Sequence, residues 1–167
     1  EGNPGKLVVT FDRRSLRRNE GWAAYEAYRQ CSHKEDVLFL GSVPWQQIWN
    51  VYEACDVFVF PSYLESFGFP MVEAMASGLP VLASATDVNR EICDDAALYF
   101  DTFDAANMAE KLALLVSDIQ GRCRLSGRGK QRSQDFAWER HLKTITDLLL
   151  QNESPITSKT DSNDGRY

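Results

Sequence analysis

Two glutamates, Glu65 and Glu73, stand on either side of a Phe67-Gly68-Phe69 turn, with seven residues between them. A carboxylate offers two acceptor oxygens, enough to take both hydroxyls of a ribose cis-diol. Glu73 suits that role, and Glu65 can do the same for the hydroxyls of a second sugar. Pro70 fits the first turn of a helix running to Ser77. The free N–H groups and positive dipole end of that helix would face back toward the turn and form an anion site. Gly68 would let backbone approach a ligand with no Cβ in the way. An anion site between two hydroxyl acceptors describes a nucleotide-diphosphate sugar. A plainer reading also fits. Two glutamates within nine residues are unremarkable among 24 acidic ones, and a glycine between aromatics can be only a tight turn. Spacing alone leaves both readings open.

The elements that would position these residues alternate along the chain. Short apolar runs read as buried strands at Lys6–Phe11, Val37–Leu40, Val57–Phe60, Val81–Ala83 and Leu98–Phe100. Helical spacing falls between them, at Ser15–Gln30, Pro44–Ala54, Pro70–Ser77 and Asp87–Ile92. Three further helical stretches follow. Ala105–Ser117 is capped by Asp104, Arg122–Phe136 is polar, and Trp138–Leu150 carries apolar residues at Trp138, Leu142, Ile145 and Leu149. Apolar strands alternating with helices predict an α/β fold, a Rossmann-like parallel sheet with helices on both faces. Ligands of such sheets bind outside the carboxyl ends of the strands, which is where Glu65 falls. One domain is expected over 1–150. The tail 151–167 is nearly free of apolar residues and is expected to be disordered.

A net charge of −6 gives no electrostatic footprint for nucleic acid. The basic run Arg13, Arg14, Arg17, Arg18 reads as a solvated helix face. No apolar stretch reaches the roughly 18 residues of a membrane span. The four cysteines, Cys31, Cys55, Cys93 and Cys123, form no CxxC pair. They read as free buried thiols in a reducing, cytoplasmic setting. Cys31-x-His33 has no nearby complement for a metal site. The opening Glu1-Gly2-Asn3-Pro4-Gly5 reads as a loop cut mid-protein.

The stretch Phe60 to Ser84 closely resembles the donor-site segment of retaining glycosyltransferase family four, of the two-domain GT-B type. That family carries the frame P-S-x-x-E-x-F-G-x-P-x-x-E-A-M-A-x-G-x-P-V. Here Pro61, Ser62, Glu65, Phe67, Gly68, Pro70, Glu73, Ala74, Met75, Ala76, Gly78, Pro80 and Val81 fill it. Val37 to Pro44, Glu91-Ile92, Ala96-Ala97 and Trp138 extend the likeness over residues 6 to 150.

The resemblance implies the C-terminal, donor-binding half of a hexosyl-type transferase, with the N-terminal acceptor domain absent. Glu65 would contact the transferred sugar as the catalytic carboxylate, beside Ser66. The amides of Phe67, Gly68 and Phe69 would meet sugar hydroxyls, and those of Met71 and Val72 the diphosphate. Glu73 would hold the ribose. Gly41 and Val43 would form the base-side loop. No metal or other cofactor is expected, and no Asp-x-Asp motif occurs. The sequence departs from the family at Ser66, where a glycine often follows the first Glu, and in two larger respects. The segment bearing the family's phosphate-binding Arg and Lys is absent, and the first strand ends in Thr10-Phe11-Asp12 where a glycine-rich turn is usual. The alternatives are a GT-B epimerase or hydrolase, and a non-catalytic binding module. The chain alone is expected to transfer no sugar. It is also expected to expose apolar surface along Trp138 to Leu150.

Overall fold

A computed structural model describes residues 5–14 and 22–151. The first part of the expected helix, residues 15–21 with Arg17 and Arg18, the first four residues and the tail from 152 lie outside them. The chain forms two compact units, Glu1–Cys55 and Asp56–Tyr167.

In the first unit, strand β1 (Leu7–Val9) pairs in parallel with β2 (Val37–Phe39), in the register Val8↔Leu38. Helix α1 (Trp22–Gln30) connects them, as parallel strands require a crossover. Phe39 is the aromatic hub of this unit. It meets Phe11 edge-on at 6.0 Å and Tyr28 at 5.3 Å between ring centroids. The helix expected from Pro44 opens as a 3-10 turn, Trp45–Gln47, and continues as α2 (Ile48–Glu53).

The second unit carries β3 (Phe58–Phe60), β4 (Val81–Ser84) and β5 (Ala97–Phe100), parallel and in the order β3-β4-β5. Strand β4 is buried along its whole length, which is why Val81–Ala83 reads as an unbroken apolar run. The registers Val59↔Leu82 and Leu82↔Leu98 place these three residues on one face. There Leu82, Phe100 and Leu115 form the core, joined by Met108, Leu112 and Leu125 from α5 (Ala105–Ser117) and α6 (Ile119–Ser133). The α/β class is as expected, with all five strands present. They lie in two parallel sheets, of two and of three strands.

Local chemistry sets the helix limits. Asp104 caps α5 by accepting from the Asn107 amide at 2.9 Å, and Asp118 caps α6 through the Gly121 amide at 2.8 Å. Helix α3 (Phe69–Ala76) ends at Gly78, in the left-handed region with φ 80°. There Gly78 N–H donates to Met75 and Leu79 N–H to Ala74, the paired bonds of a Schellman motif. Helix α4 (Asp87–Cys93) starts one residue after its cap, Thr86. The final helix α7 (Trp138–Gln151) has no buried residue. Its apolar side chains Trp138, Leu142, Ile145 and Leu149 are all more than half exposed, as the sequence led us to expect. No helix among the described residues is long and apolar enough to cross a membrane.

Candidate functional site

The β3–α3 loop runs from Pro61 to Gly68 at the carboxyl end of β3. Glu65 and Phe67 in it are half-buried, Ser66 is exposed and Gly68 is buried. Helix α3 begins at Phe69, one residue earlier than expected, and Glu73 lies one turn inside it, also half-buried. The turn between the two carboxylates depends on Gly68, which stands at the N-cap with φ 85° and ψ 49°. Left-handed backbone strains any residue with a Cβ.

Two details correct the expectations for this turn. A Cβ on Gly68 would meet Met71 Cε at 2.5 Å and the Phe60 ring at 3.7 Å. The space left by the missing side chain is therefore protein interior, not an approach path for a ligand. Gly68 is needed for its backbone angle and its packing. The Met71 amide, expected to face an anion, donates instead to the Gly68 carbonyl at 3.0 Å. The Met71 side chain is fully buried, so this residue knits the start of α3 to its turn.

Supports reach this loop from both sides. On one, Ser84 at the end of β4 donates its hydroxyl to the Ser62 carbonyl. Asn89, on α4 and fully buried, donates from Nδ2 to the same carbonyl at 3.3 Å and to Ser84 Oγ at 2.9 Å. On the other, Phe67 lies against Phe69 at 4.6 Å and edge-on to Phe136 at 5.5 Å. The Arg132 guanidinium lies 4.9 Å over Phe136 while donating to the carbonyls of Glu91 and Ile92. Sequence reasoning missed Ser84, Asn89, Arg132 and Phe136 as parts of the site. The one signal was an asparagine at an inward position of a short helix.

The base-side residues belong to the first unit. Gly41 has φ 72° with open space around it. Val43 lines a cavity of about 530 Å³ with Leu38, Leu40, Ser42, Gln47 and Asn50 among others. His33, Glu35 and Asp36 bring one ligand atom each within 4.8 Å of one another. Asp36 already pairs with Lys6 at 3.4 Å, and His33 and Glu35 are exposed. Cys31 is not in that group. His33 precedes a 3-10 turn, Lys34–Asp36. His141 is on α7 and exposed.

The cysteines are free, as expected, but unevenly buried. Cys93 is buried, Cys31 and Cys55 are intermediate, and Cys123 is exposed. Of the basic run, Arg13 and Arg14 are exposed, and Arg13 lies 4.9 Å over the Tyr28 ring. Burial pushes the Cys93 thiol up to about 12, against a smaller opposing pull from Arg132. Burial also raises the Tyr99 phenol.

Comparison with known proteins points one way. The family profile described as glycosyl transferases group 1 matches residues 24–132. O-antigen chain mannosyltransferase B of Escherichia coli is 33% identical over 103 residues, covering 62% of this chain and 27% of that protein. Sucrose-phosphate synthase from Thermosynechococcus elongatus superposes with a TM-score of 0.74 at 28% identity, over 87% of this chain and 37% of that one. An Anabaena protein crystallised in complex with UDP-glucose superposes with a TM-score of 0.76 over 87% of this chain and 41% of that one. At 20% identity that likeness speaks for the fold alone. The chain spans about a quarter to a third of the length of the relatives it matches in sequence.

Proposed function

The chain belongs to the group 1 glycosyl transferases, and from that footing we propose that it is the donor-binding half of a retaining hexosyltransferase that uses a nucleotide-diphosphate sugar. The acceptor-binding half belongs to a longer protein, in keeping with the share of its relatives that the chain spans. The observation that carries the reading is the arrangement around Gly68. Two half-buried carboxylates, Glu65 and Glu73, flank a left-handed turn that opens the N-terminus of α3.

In this reading Glu73 accepts from the ribose hydroxyls and Glu65 from the sugar to be transferred. Amides of Ser66, Phe67, Gly68 and Phe69 supply donors to sugar and diphosphate, whereas the Val72 N–H, expected to face the diphosphate, lies past the free N–H groups of a helix that begins at Phe69. As the bond to the anomeric carbon breaks, negative charge grows on the diphosphate and positive charge on the sugar ring. Fixed donors at the helix N-terminus stabilise the first and Glu65 the second, without a metal ion. The setting is cytoplasmic, where nucleotide sugars and free thiols coexist. The exposed positions of His33 and His141 favour transfer over epimerase chemistry, which needs an enclosed acid or base.

Calorimetric titration of the chain with UDP, GDP and ADP, and with their hexose conjugates, tests this. One nucleotide should bind, and Glu73→Ala should weaken it at least about tenfold, roughly 1.4 kcal/mol. Glu65→Ala should leave the nucleotide bound and remove the extra affinity contributed by the sugar. Absence of binding to all three nucleotides, or a Glu73→Ala chain that binds as well as the parent, would overturn the proposal.

A further inference from the structure

We propose that Asn89 is a positioning residue for the loop that presents Glu65, acting through the carbonyl of Ser62; this rests on the donor-site reading above. Asn89 has no exposed surface, and neither does Ser84. Its Nδ2 donates to Ser62 O at 3.3 Å, to Ser84 O at 3.0 Å and to Ser84 Oγ at 2.9 Å. Ser84 donates a hydrogen bond from its own hydroxyl to the same Ser62 carbonyl. Two donors thus converge on one acceptor at the point where the chain leaves β3. Ser62 relays the constraint forward, since its hydroxyl donates to Leu64 O at 3.4 Å, one residue before Glu65.

Asn89 is itself held at the start of α4, where its backbone N–H donates to Thr86 Oγ1 at 3.2 Å. The carboxamide cannot be turned over, because both Ser62 O and Ser84 O are acceptors and need the amino group. In this orientation Asn89 Oδ1 is buried with no hydrogen-bond partner among the described residues. A leucine of similar volume would fill the position with no orphaned acceptor. A residue chosen for core packing alone would not be asparagine. The unsatisfied oxygen is what accompanies a donor placed where the loop needs one.

The test uses the chain itself with Asn89→Leu and Ser84→Ala, read by amide hydrogen exchange and by titration with the nucleotide that the parent binds and its hexose conjugate. Asn89→Leu should raise exchange across residues 62–66 about tenfold or more while the amides of Val81–Ser84 stay protected. It should cut the affinity contributed by the sugar at least about fivefold and leave nucleotide affinity within about twofold. Ser84→Ala, a smaller change that keeps the fold if the leucine variant does not, should shift both readouts in the same direction. Unchanged exchange in 62–66 in both variants overturns the inference. So does a uniform rise in exchange with nucleotide and conjugate affinity falling in parallel, because that is a fold role only. A parent chain that binds no nucleotide sinks the donor-site reading instead, and the exchange result still decides whether Asn89 holds the loop.

Discussion

Gly68 and Met71 are locked to each other twice over: Met71 N–H donates to the Gly68 carbonyl at 3.0 Å, and Met71 Cε fills the place where a Cβ on Gly68 would stand. The turn between the two glutamates is therefore held by the backbone angle of Gly68 and by its packing against Met71. Gly68→Ala would force a Cβ onto left-handed backbone at φ 85°, at a cost of about 1–2 kcal/mol. Urea unfolding should show that loss, and nucleotide affinity should fall with it. An alanine variant as stable as the parent would mean the turn can relax.

Leu82 is fully buried at the centre of the three-stranded sheet. Leu82→Ala should lose about 2–5 kcal/mol, a large share of a typical domain's stability. Leu114, on α5 and 51% exposed, is the control, and its alanine variant should differ from the parent by no more than about 0.5 kcal/mol. Equal effects at the two sites would contradict the core as described.

The thiols should separate by pH. Reaction with iodoacetamide needs the thiolate. Cys123 is exposed and should be modified at about pH 8.5. Cys93, pushed up to about 12, should stay unmodified in the folded chain at that pH. The folded pKa lies above the unfolded one, so this group's contribution to stability is complete below 9.0 and is lost as pH climbs toward about 12. Cys93→Ala should flatten the decline in stability across that window. Peptide mapping and alkaline unfolding curves check both parts.

Donor binding should not depend on a divalent ion if the diphosphate is met by the N-terminus of α3. Dissociation constants measured in EDTA and in magnesium should agree within about twofold. A tenfold gain with magnesium would show that a cation supplies what we assign to backbone amides.

The sequence by itself determined the local pieces. The apolar runs announced all five strands, Asp104 announced the start of α5, and Gly78 announced the end of α3. The acidic pair and its frame announced the loop, because each of those signals acts over a few residues and needs no distant partner. Only the tertiary structure decided how the loop is held. Asn89 and Ser62 are 27 residues apart, and Arg132 and Glu91 are 41 apart. The side on which Gly68 is crowded depends on where Met71 and Phe60 pack. Hydrogen bonds and ring contacts at such separations are set by how helices settle on the sheet. The polar residues that make them look like surface residues until the fold buries them.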